Sequence, residues 1–87
     1  MDDRFIRDQI VGQIEKVCSI PIAQTGLSDT EDLLKAGLLD SVAFLELFLF
    51  LGKSFDIPIL DDDIVNPNHS TIAGMCSMVQ MKKLSGP

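Results

Sequence analysis

The pair Asp40-Ser41 stands directly ahead of an apolar helix and is the first place to look for chemistry in this chain. A serine acting alone as a nucleophile needs a base to draw off its proton. The pattern Gly-x-Ser-x-Gly is absent, no Ser-His-Asp set can be read from the spacing, and His69 is the single histidine. The ordinary role of Asp or Ser at such a boundary is an N-cap, where a side-chain oxygen accepts one of the free amides of the first turn. Asp61-Asp62-Asp63 with Asn66 forms a second polar cluster. As a calcium loop it fails, because its sixth position lacks Gly and its twelfth is Ile72 rather than Glu. It reads as a solvated acidic turn. His69 is expected to make a local hydrogen bond or packing contact. Cys18 and Cys76 are too few for a disulfide scaffold and are expected to be reduced residues on the inward sides of their helices. Met75, Met78 and Met81 read as packing and adaptable surface.

The elements that must position these groups follow from hydrophobic period. Ile6, Ile10, Ile14 and Val17 recur at helical spacing, which predicts an amphipathic helix over about 3–18. Asp2 and Asp3 sit where a cap and a favourable charge at the helix dipole belong, and Ile20-Pro21-Ile22 ends the element. Residues 19–40 read mostly as a long loop punctuated by Pro21, Gly26 and Gly37, with a helical turn within Thr30 to Ala36. Leu38 and Leu39 are apolar, so the loop is expected to be pinned to the core. A loop of this length in a small domain is often functional. The run from Val42 to Leu51 is nearly all apolar, and its length and scarcity of β-branched residues favour a helix over about 41–54. Gly52 weakens its last turn. An extended connector, Phe55 to Leu60, leads to a short helix over about 61–65, ended by Pro67. The last helix covers about 70–83, with Ser70 as its expected N-cap. Ile72, Met75, Cys76 and Val79 form its inward stripe, and Lys82 and Lys83 suit the dipole in its last turn. Leu84 to Pro87 is expected to fray. The sum is one all-α domain over 1–87, a small three-to-four-helix bundle with a long first loop.

Composition narrows the function classes. The 87 residues hold seven basic and thirteen acidic side chains, a net charge of −6, which speaks against nucleic acid and anionic membrane surfaces and favours basic partners. No run of about 20 apolar residues exists to span a membrane. Met1-Asp2-Asp3 is not the basic, then apolar, start of a signal peptide. Trp and Tyr are absent, so the usual stacking platforms for bases and sugars are missing. With one histidine and no metal-ligand cluster, the expectation is a protein that is not an enzyme.

The stretch Gly37-Leu38-Leu39-Asp40-Ser41-Val42-Ala43-Phe44-Leu45-Glu46-Leu47 resembles the attachment motif of acyl carrier and peptidyl carrier proteins. The likeness extends in register upstream to Glu31-Asp32-Leu33 and downstream to Phe55-Asp56-Ile57. Asp61 to Ile64 and Asn68 to Ile72 resemble the approach to the family's last helix. The resemblance covers about residues 5–82. It implies that Ser41 bears 4′-phosphopantetheine, placed there from coenzyme A by a phosphopantetheinyl transferase, and that Asp40 helps present Ser41 to that enzyme. The arm's thiol would hold cargo as a thioester. The segment Gly-Leu-Leu-Asp-Ser is most similar to that of stand-alone aminoacyl, D-alanyl-type carriers. Glu46 is the only acid between Ser41 and Ser54, which departs from the acidic second helix of fatty-acid carriers, and His69 stands where the amino-acid branch often has an aromatic. The implied partners are an adenylating ligase for an amino acid or small acyl group and a downstream acyltransferase or synthetase. A free-standing monomer in the cytoplasm is implied too. Some apolar residues of the second helix near Ser41, with Val42 and Leu45 foremost, are expected to contact partners.

Three alternatives stand beside this one. A fatty-acid or polyketide carrier would hold longer chains inside the bundle. A helical adaptor would bind a partner through the second helix without covalent modification. A hydrolase using Ser41 would turn over substrate with the purified chain alone.

Overall fold

The computed structural model describes residues 3–85, which form an all-α bundle. Its elements are α1 (Asp3–Cys18), α2 (Ile22–Thr25), α3 (Ser41–Phe55), α4 (Asp61–Val65), a 3₁₀ turn (Pro67–Ser70) and α5 (Ile72–Ser85). α1 packs on α3 and α5, and α5 also meets the 3₁₀ turn. Ile6, Ile10 and Ile14 of α1 are fully buried, as the stripe requires; Val17 is exposed, and Cys18 takes the last inward place as a half-buried thiol. From α3 come Phe44, Leu47, Phe48, Leu51 and Phe55. Ile72, Met75, Met78 and Val79 of α5 complete the core, with Cys76 only half-buried at its edge. Met81 is exposed.

Four sequence expectations change. The first loop contains a helix, α2. Pro21 and Gly26, which read as breakers, bracket it: Pro21 starts it in extended geometry, and Gly26 ends it at φ 73°. A positive φ suits Gly because it has no Cβ to clash with the following carbonyl. The Glu15 carboxylate accepts the Ile22 amide at 2.6 Å, and Ile22 is buried. Second, the cap of α5 is Thr71 rather than Ser70. Thr71 is extended, and its Oγ1 accepts the Gly74 amide at 2.9 Å. Third, α5 runs on through Leu84 and Ser85, where fraying was expected. Lys83 Nζ donates to the Phe55 carbonyl at 2.9 Å and holds that last turn to the end of α3. Fourth, the second helix extends to Phe55 and ends where Asp56 turns to φ 54° and Ile57 N–H returns to the Gly52 carbonyl at 3.1 Å. Gly52 does more than weaken that end: a Cβ there would stand 3.1 Å from Ile59, so its absence lets the connector lie close. The expected capping role of Asp2 and the fraying of Gly86 and Pro87 lie outside the described residues.

Candidate functional site

α3 begins with a defined cap. Asp40 is extended, its Oδ1 accepts the Ala43 amide at 2.8 Å, and its carbonyl accepts the Phe44 amide at 2.9 Å. The cap therefore belongs to Asp40, and Ser41 is the first helical residue. Ser41 is exposed, and its hydroxyl has no hydrogen-bond partner among the described residues. Among the described residues no base is hydrogen-bonded to it. What the geometry offers is an accessible hydroxyl on the first turn of a long helix, where unpaired amides and the helix dipole favour an anion attached to it.

The segment that delivers Ser41 is fastened at several points. Arg7 of α1 holds Asp29 with two parallel bonds, Nε to Oδ2 at 2.6 Å and Nη2 to Oδ1 at 2.8 Å. The Asp29 carbonyl accepts the Ala73 amide of α5 at 2.9 Å. Asp32 then caps a single helical turn, its Oδ1 accepting the amides of Leu34 and Lys35, both at 3.0 Å. The turn closes through Gly37 at φ 77°, with Gly37 N–H donating to the Leu34 carbonyl and Leu38 N–H to the Leu33 carbonyl, both at 3.1 Å. That paired pattern is the Schellman closure, and it fits the turn expected within Thr30 to Ala36. Leu33 and Leu39 are buried and Leu38 half-buried, so the loop is pinned to the core as its apolar residues imply. Cys18 Sγ–H also reaches the Leu38 carbonyl at 3.3 Å.

One side of α3 is apolar yet exposed. Val42, Leu45 and Leu49 are 67%, 43% and 54% accessible. Their spacings of three and four residues set them on one face beside Ser41. Val42 and Leu45, the two expected contact residues, both lie on this face.

The remaining sequence candidates resolve into local roles. Asp61 and Asp62 are exposed, whereas Asp63 pairs with Lys82 at 2.8 Å and accepts the Leu60 amide at 2.8 Å. Among the described residues no group of acidic, His or Cys side chains could hold a metal ion. His69 Nδ1 lies 2.8 Å from the Asp63 carbonyl, a local hydrogen bond. Cys18 and Cys76 are free thiols, and burial pushes both above the ordinary thiol range. An open groove of about 680 Å³ lies between α1 and α5, lined among others by Arg4, Arg7, Asp29, Cys76 and Gln80, with no residue of α3. This groove and the Ser41 surface are thus separate features.

The fastening carboxylates predict an acid-sensitive loop. The Arg7 bond holds Asp29 below the ordinary carboxylate range, and the Lys35 amide and Ser70 hydroxyl do the same for Asp32. Burial pushes Asp63 up, but the bonds from Lys82 and the Leu60 amide outweigh it and leave its value lowered. A lowered folded value means that the stability contributed is complete above the unfolded carboxylate value, about 3.9, and is lost as pH falls through the folded values. Urea midpoints are therefore expected to stay level above about pH 5 and to fall below about pH 4. Asp29→Asn should flatten that fall in a pH series of denaturation curves.

The sequence reading missed Arg7, Asp29 and the Asp32–Ser70 pair. Asp32 carried a signal, since Asp followed five residues later by Gly37 brackets one helical turn. The pairing of Arg7 with Asp29 and of Asp32 with Ser70, across 22 and 38 residues, had none. Comparison of the chain with family models, curated proteins and solved structures finds no match.

Proposed function

We propose that the chain is a carrier protein, with Ser41 as the attachment point for 4′-phosphopantetheine and an amino acid or other small acyl group as cargo. The observation that carries this reading is the exposed Ser41 hydroxyl, without a partner among the described residues, on the first turn of α3, behind the Asp40 cap and within the motif that resembles carrier proteins. Ser41 Oγ would attack the β-phosphorus of coenzyme A, forming the new P–O bond as the pyrophosphate P–O bond breaks. Adenosine 3′,5′-bisphosphate leaves, and the serine proton passes to a base of the transferase. The amides at the head of α3 would then face the phosphodiester. The arm, once attached, supplies a thiol that holds cargo as a thioester within reach of successive partners, so the carrier contributes effective concentration rather than catalysis. Asp40 acts by fixing the first turn.

The test is intact mass after incubation with coenzyme A and a broad-specificity phosphopantetheinyl transferase. One phosphopantetheine is expected on the wild type and none on Ser41→Ala. No gain on folded protein, with a known carrier modified in parallel, would overturn the reading. Loading assays with an adenylating ligase, comparing amino acids with fatty acids, then separate small cargo from the fatty-acid or polyketide alternative. The exposed face of Val42, Leu45 and Leu49 favours a second reading, a non-covalent adaptor that binds through α3. In that case Ser41→Ala leaves function intact.

A further inference from the structure

Ser70 is the one buried polar residue among those described, 4% accessible, and its environment is the loop that leads to Ser41. Its hydroxyl donates to Asp32 Oδ2 at 2.8 Å and lies at the same distance from the Pro67 carbonyl. Its own carbonyl accepts the Leu33 amide at 2.8 Å. Asp32 uses its other oxygen to cap the turn over Leu34 and Lys35. The Leu33 carbonyl, in turn, takes the amides of Leu38 and Leu39, the latter at 3.3 Å. Leu39 adjoins Asp40, whose carboxylate and carbonyl form the head of α3. A continuous chain of bonds thus runs from the 3₁₀ turn ahead of α5, through Asp32 and Leu33, to the residue that caps Ser41's helix.

We propose that Ser70 and Asp32 are positioning residues for Ser41: their bond holds the turn over residues 33–39 against the head of α5 and so fixes the first turn of α3. Neither residue touches the reacting hydroxyl. The hold is local, because α1 reaches the loop through separate bonds, the Arg7–Asp29 pair and the Cys18 thiol on the Leu38 carbonyl. Opening of the Asp32–Ser70 bond frees the turn while the core helices stay packed, the kind of sub-global opening that amide exchange detects. The consequence for modification of Ser41 rests on the carrier reading above; the consequence for the first turn of α3 does not.

The test uses two variants that remove the bond from opposite sides. Ser70→Ala deletes the hydroxyl. Asp32→Ser keeps a capping oxygen for the turn but lacks the second oxygen that meets Ser70. Both are expected to speed amide exchange at Leu33, Leu38, Leu39, Ala43 and Phe44 by about tenfold or more, with the α1 amides unchanged. With coenzyme A and the transferase, both should lower kcat/KM for arm transfer by about tenfold, mainly through kcat, since a misplaced nucleophile costs orientation. Ser70→Thr, which keeps the hydroxyl, should restore both readouts. Wild-type exchange at these five amides in either folded variant overturns the proposal, as does equal acceleration throughout α1, which would mean general destabilisation. If the wild type accepts no arm, the carrier reading falls and the exchange data still decide the positioning role.

Discussion

Gly74→Ala should destabilise the fold by about 3 kcal/mol, although alanine is the better helix former by about 1 kcal/mol. Gly74 lies in the first turn of α5, and a Cβ added there would stand 1.7 Å from the Asn68 carbonyl oxygen and 2.8 Å from its carbon. The obstacle is backbone, so no rotamer change relieves it. Either the 3₁₀ turn or the head of α5 has to move, and both carry bonds that would be lost: the Thr71 cap on Gly74, and the Ser70 carbonyl on Leu33. Gly12 supplies the opposite case. It sits in α1 with nothing within 4 Å of an added Cβ. Gly12→Ala should therefore raise stability by up to about 1 kcal/mol. Urea denaturation of the two variants checks the pair, and a stable Gly74→Ala would mean that the 3₁₀ turn does not lie against the helix as described.

Phe48→Ala carries a cost at least as large, about 3–5 kcal/mol. Phe48 is fully buried in the middle of α3, and its ring meets Phe44 edge-on with centroids 4.9 Å apart. Truncation removes apolar area and the aromatic contact, and leaves a void between α3 and its neighbours that a closely packed interior fills only in part. Leu49→Ala, the next residue along, should change stability by less than about 0.5 kcal/mol, because that side chain faces solvent. Denaturation midpoints of the two single variants decide whether α3 is oriented as described. The contrast also bears on the proposed partner surface, since a loss of binding in Leu49→Ala without a loss of stability would belong to the exposed face.

The helical fold class was legible because it rests on local pattern. Ile6, Ile10 and Ile14 repeat at the helix period, and charged or small residues bracket the long elements. The run from Val42 to Leu51 showed a helix but not which face it hides, since nearly every position is apolar. Only packing distinguishes buried Leu47 from exposed Leu45 and Leu49. α2 escaped because four residues carry no period, and Pro21 and Gly26 signal a helix boundary as readily as a loop. At Ser70-Thr71, two adjacent residues could each cap α5. The outcome depends on the 3₁₀ turn, which draws Ser70 inward to Asp32 and leaves Thr71 to meet Gly74. Asp40-Ser41 was visible as a motif; that Asp40 alone is the cap, with Ser41 free beside it, required the geometry.

The first loop's distant fastenings also carry a meaning in time. Helices form in well under a microsecond when their contacts are local. The Arg7–Asp29 and Asp32–Ser70 bonds span 22 and 38 residues, so each must wait until segments far apart in the chain have met. α1 and α5 lie further apart still in the chain, and their packing shortens the loop that each bond must close. The stretch leading to Ser41 is therefore expected to be fastened after that packing. On the reverse path it is expected to depart early, so a protease should cut there first while the buried isoleucines of α1 are still packed.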